Sequence, residues 1–263
     1  MRAAVIAGSL FSFILISAPA HAGRSCDEKP ADPNRLMQGF ELAQKVKINL
    51  DQSGAELAII ARIGQDLSKY QLRYSHLGIV RKLEDGRWMV MHELNQCGTA
   101  RSDLYNEGLA NFFMDDPYRY EAMLMIPNIE IQKRILGTIN SSTPKALQDP
   151  RYNMLAHPFS TKYQNSNQWA LETMAAALAN DVQVSNREQA QSWLKYANYR
   201  PTTLEIPMLT RLGGRMFRAN IAFDDQPFDR RMAGHIDTVT VDSIDRFLQT
   251  RDKNLQHIVV SYP

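Results

Sequence analysis

The sequence predicts an α+β fold, and three observations carry that prediction. Residues 55–63, 74–80, 88–94 and 120–126 are dense in branched and aromatic side chains, as strands are. Two of these runs flank Glu84-Asp85-Gly86, a hairpin signal, so they are expected to pair in one antiparallel sheet. Helical spacing of apolar residues occupies separate stretches before and after the strands, rather than alternating with them as in a parallel α/β protein.

The elements follow in order. Leu36, Phe40, Ala43, Val46 and Leu50 recur at helical spacing, which places a first helix from Asn34 or Arg35 onward. After the first three strands, helices are expected over residues 102–114, 129–139, 165–179 and 186–197, with the fourth strand, 120–126, between the first two. Asp242 is read as the cap of a helix running to Gln249, and a last strand covers 257–261. The polar stretch 141–151, with two prolines, reads as a loop inside one domain.

The N-terminus reads as an export signal. Arg2 gives a positive start, residues 3–17 are almost unbroken apolar, and Ala20-His21-Ala22 supplies small residues at −1 and −3 of a cleavage site. Residues 23–263 then form the mature chain, expected as a single domain in the periplasm. Cys26 follows Gly23-Arg24-Ser25, which does not fit a lipoprotein anchor, and no segment is long and apolar enough to span a membrane. An oxidising compartment makes a bridge between Cys26 and Cys97 and a pair of unpaired buried cysteines about equally expected. With 44% apolar and 22% charged residues the chain can bury a core. A formal charge of +2 without basic runs argues against nucleic acid as a partner.

Two segments are candidates for chemistry: Tyr74-Ser75-His76-Leu77-Gly78-Ile79-Val80 and Tyr163-Gln164-Asn165-Ser166-Asn167-Gln168-Trp169. Ser166 falls in the first turn of a helix and shares a face with Ala170, Met174 and Ala177, so it is expected to point inward. A nucleophile there meets unsatisfied backbone N–H groups that favour developing negative charge. The turn decides which neighbour His76 has. A two-residue turn at Asp85-Gly86 puts Glu93 on its face, and a three-residue turn with Gly86 left-handed puts His92 there.

The histidine-bearing strand and the later helix, in that order, resemble the circularly permuted branch of the NlpC-like, papain-like hydrolases. There a Ser-His-x-Gly-Ile strand supplies the histidine and a helix beginning Asn-Cys-x-x-aromatic supplies the thiol. The resemblance implies a papain-like core, with the sheet packed against the nucleophile-slot helix and extra C-terminal helices and strands. It also implies Ser166 as nucleophile, His76 as base, and His92 rather than Glu93 as orienter. Tyr74, Asn165, Asn167 and Trp169 would line the substrate site, and no cofactor is implied. This chain departs from the pattern by having serine where the family has cysteine, so two readings follow. One is a hydrolase or acyltransferase acting on an amide or ester bond of a cell-envelope peptide, glycan or lipid. The other is an inactive module that binds such a molecule or a protein partner. Residues 92–113 with 163–169 also resemble a secreted bacterial family of unknown function. Convergence of His76, His92, Glu93 and His157 on a metal has little support, because His92-Glu93 lacks the second histidine of the zinc-protease motif.

Overall fold

Seven consecutive buried residues, Leu57–Ile63, form a strand at the centre of the molecule, since a strand covered on both faces needs no polar alternation. The structure is a computed structural model that describes residues 32–114, 117–217 and 219–262. The export signal and Cys26 therefore lie outside the described residues.

The main sheet comprises β1 (Leu57–Ile63), β2 (His76–Lys82), β3 (Trp88–Asn95), β4 (Ser102–Gly108), β5 (Arg119–Ile126) and β8 (Gln256–Ser261). Its order is β4-β3-β2-β1-β5-β8, antiparallel at every pairing. One face is covered by α1 (Pro33–Ser53) and α2 (Leu109–Met114), whose Leu42, Val46, Leu50 and Phe112 pack on Ile60, Val80, Val90 and Leu124. The other is covered by α3 (Ile129–Ile139), α5 (Ser166–Leu178) and α9 (Val241–Arg251), packing on Leu57, Ile59, Leu77 and Ile79.

Short α4 (Thr143–Ala146) interrupts the loop expected over 141–151, and α6 (Arg187–Tyr196) packs beside α5. A two-stranded sheet, β6 (Thr202–Glu205) with β7 (His235–Thr238), lies with α7 (Met208–Phe217) and α8 (Phe228–Met232) around a small cluster of Leu204, Ile206, Phe223 and Ile236. Every α5 residue except Ala176 is buried, the mark of a helix enclosed on all sides.

The structure changes two elements. The helix expected over 102–114 is strand β4 followed by the single turn and a half of α2. Only Ser102 of β4 is buried, so as an edge strand it carries the polar residues of a surface, and its backbone bonds go to β3 rather than along its own chain. The last helix starts at Val241, not at Asp242: Thr240 is the cap, accepting from Ser243 N while Ser243 Oγ accepts from Thr240 N.

Candidate functional site

The turn between β2 and β3 fixes the site. Leu83 N donates to Arg87 O and Gly86 N to Leu83 O, and Gly86 has φ +82°, so Glu84-Asp85-Gly86 is the three-residue turn. Ile79 then pairs with Met91 and Val80 with Val90, a register that puts His92 rather than Glu93 on the face of His76. Gly78 makes room for the pair: a Cβ there would stand 2.6 Å from Val90 Cγ1 and 3.1 Å from His92 Cβ.

His76 Nε2 and His92 Nδ1 are 2.9 Å apart, and His92 Nε2 is 3.0 Å from Glu107 Oε1 on β4. His92 is fully buried, Glu107 half-open to solvent and His76 partly exposed. Phe112 stands across both rings, at 5.9 Å from His76 and 5.2 Å from His92. The Arg62 guanidinium lies over the same phenyl ring and donates to Phe112 O. Burial, then the Arg62 charge and the neighbouring imidazole, hold His76 well below its ordinary value of 6.5. Burial also lowers His92, against the opposing pull of Glu107.

Both imidazoles are thus neutral at neutral pH, and the chain of bonds assigns their protons. A Glu107 carboxylate only accepts, so His92 carries its proton on Nε2, and its Nδ1 then accepts from His76 Nε2–H. The lone pair of His76 is left on Nδ1. A carboxylate, a buried imidazole and a partly exposed imidazole in series form a path along which a proton taken up at His76 Nδ1 can be shared toward Glu107.

Ser166 is not at this site. His76 projects with Val80 to the α1 and α2 face, whereas α5 covers the opposite face, with Leu77 and Ile79. The Ser166 hydroxyl is instead a hydrogen-bond partner of the Tyr152 phenol, whose pKa burial pushes up to about 12. Asn165 caps α5 by accepting from Gln168 N at 2.8 Å and donates to Thr238 Oγ1 at 3.0 Å. Asn167 ties the helix to β2, accepting from Leu77 N and donating to Ser75 O. Trp169 is fully buried, its indole donating to Pro144 O, and Tyr74 is buried with its hydroxyl on Glu121. These four residues position α5 and β2 and do not line the face that holds His76.

Glu93 also lies on the α5 side, buried and accepting from Ser102 Oγ at 2.6 Å, and burial pushes its carboxyl up to about 8. Beyond it, the fully buried Glu172 is held by Arg187, Gln164, Gln168 and Gln191, and Arg187 reaches on to Asp149. His157 stands apart, against Phe159 and with its backbone N–H on Asp225. Of the four residues weighed as metal ligands, only His76 and His92 meet. Among the described residues, no group of three His, Cys, Asp or Glu is placed to hold a metal ion.

Sequence reasoning missed Glu107, Phe112 and Arg62. The helix expected over 102–114 hid Glu107, and Leu104-Tyr105-Asn106-Glu107-Gly108 carries no apolar alternation that would have marked a strand.

The molecule is thus an α+β protein whose six-stranded antiparallel sheet carries a carboxylate–imidazole–imidazole chain on one face and a buried ionic network on the other. Residues 49–248 match the bacterial family described as "uncharacterized protein conserved in bacteria (DUF2145)", and the chain belongs to that family. No curated protein and no solved structure matches it.

Proposed function

We propose that the protein is an exported cell-envelope hydrolase with a papain-like core, cleaving an amide or ester bond with His76 as general base and His92 and Glu107 as positioning residues. The observation that carries this reading is the serial bonding of Glu107, His92 and His76, which leaves the lone pair on Nδ1 of a partly exposed histidine. In the reaction, His76 Nδ1 takes a proton from water as the oxygen attacks the carbonyl carbon. The same proton then passes to the departing amine or alkoxide. Ser166, bonded to Tyr152 on the other side of the sheet, has no part in this chemistry.

A second reading, an inactive module that binds an envelope peptide, glycan or lipid, is favoured by one feature: Ser166, the hydroxyl in the nucleophile position of the resemblance, lies on the far face from His76.

The test is hydrolysis of p-nitrophenyl acetate and of isolated cell-wall sacculi by the mature chain, followed by absorbance and by mass spectrometry of released fragments. Turnover is expected to fall about a hundredfold or more in His76→Ala and to persist in Ser166→Ala. Its pH profile should rise on a limb well below 6.5, because the base is depressed by burial. Absence of turnover on both substrates, or activity indifferent to His76, overturns the enzyme reading. Retained sacculus binding in His76→Ala without turnover by either protein supports the binding module.

A further inference from the structure

At the end of the sheet where β1 begins, away from His76, a cavity of about 550 Å3 opens between the start of α3 and the ends of α5, α6 and α9. Its volume is that of a small-ligand site. Leu178, Ile131 and two aromatic rings from α6, Trp193 and Tyr196, supply the apolar wall. Trp193 is seated edge-on against Phe247 at 6.2 Å, whereas Tyr196 is 82% exposed.

The polar wall is just as unspent. Arg134, Asn180, Asp181 and Asn198 make no side-chain hydrogen bond or ion pair among the described residues, and neither does the Trp193 indole N–H. Arg251 caps the end of α6 by donating to Ala197 O and stacks on Phe247.

We propose that this cavity binds a short oligosaccharide. A sugar ring has apolar C–H faces that lie on aromatic side chains and an equatorial rim of hydroxyls that both donate and accept. The side chains of Asn180, Asp181 and Asn198 match the donors of that rim, and Arg134 and the indole N–H match its acceptors. A purely apolar ligand would leave these groups unsatisfied. A phosphate ester would face Glu130 and Asp181. The cavity is walled by helix ends and not by a strand edge, so it offers an extended peptide no backbone ladder. The inference stands independently of whether His76 is catalytic.

Intrinsic fluorescence reads the site directly, because Trp88 and Trp169 are buried and Trp193 is the tryptophan in the cavity wall. The mature protein is titrated with tetramers of N-acetylglucosamine, cellotetraose and tetragalacturonate to about 10 mM, a range that detects millimolar affinity. Saturable change with any of the three is expected, with affinity weakened roughly tenfold in Arg134→Ala and in Tyr196→Ala. Both side chains are exposed at the surface, so neither variant threatens the core. No change with any tetramer overturns the proposal. Binding that both variants leave unaltered overturns it as well, since the sugar would then sit elsewhere.

Discussion

Replacing Glu93 with glutamine tests the buried side of the sheet quantitatively. Glu93 is fully buried, bonded at one oxygen to Ser102, and its carboxyl titrates near 8 in the folded chain against an ordinary value of 4.5. Between those two values the native state holds a proton that the unfolded chain has released, so stability falls as pH rises. The stabilising proton is fully in place below 4.5 and its benefit is gone above about 8. Each pH unit inside that window is worth about 1.4 kcal/mol for a single group. From pH 5 to pH 8 the native chain should lose about 4 kcal/mol relative to a variant that does not titrate at this position. Urea unfolding at pH 5, 6, 7 and 8, for the native chain and for Glu93→Gln, isolates the effect, because titrating groups remote from position 93 cancel in the difference. A difference that grows steadily with pH in favour of glutamine is expected. A difference constant across the range would refute the assignment of Glu93 as a protonated buried carboxyl at neutral pH.

Three further outcomes are expected. Gly78→Ala drives a methyl into Val90 and His92 in the middle of the sheet, so it should cost about 1–3 kcal/mol of unfolding free energy and shift the ring resonances of both histidines. Arg187→Leu strands the buried Glu172 carboxylate and should cost about 3–5 kcal/mol, read from urea midpoints; adding Glu172→Leu should restore part of the loss. Glu107→Gln puts an amide that can donate as well as accept in place of a carboxylate that only accepts, so the two tautomers are no longer fixed. Long-range proton–nitrogen NMR spectra should then show a mixture on His76 in place of the single Nε2–H form, while unchanged tautomers would sever Glu107 from the pair.

Much of the sheet was legible because its inner strands are short, branched and bounded by turn residues. Leu57–Ile63 and Arg119–Ile126 announce themselves by composition, and Glu84-Asp85-Gly86 carries enough turn chemistry to narrow the register to two choices. β4 was not legible, because an edge strand of polar residues lacks the apolar signal on which strand reading rests. β6 and β7 are four residues each, too short for periodicity to register. The likeness between His76 and Ser166 and a catalytic pair rested on local motifs, which say nothing about the face of the sheet a distant helix covers. Leu77, Gly78, Ile79 and Val80 are all buried, so no polar alternation in β2 marks one face as the side of α5. That choice is made by the order of connections, and it put His76 among Phe112 and Arg62 instead.

The left-handed Gly86 of the first hairpin sets the phase between His76, about ten residues before it, and His92 after it. Insertion or deletion of one residue between Lys82 and Trp88 works like a frameshift in three dimensions: every side chain of β3 changes sides. Glu93 would then face the imidazole of His76, and His92 would be pushed among the apolar residues beneath α5. The length of a solvent-exposed turn therefore decides which titratable side chain stands beside His76, and a change there exchanges one for the other without altering a single strand residue.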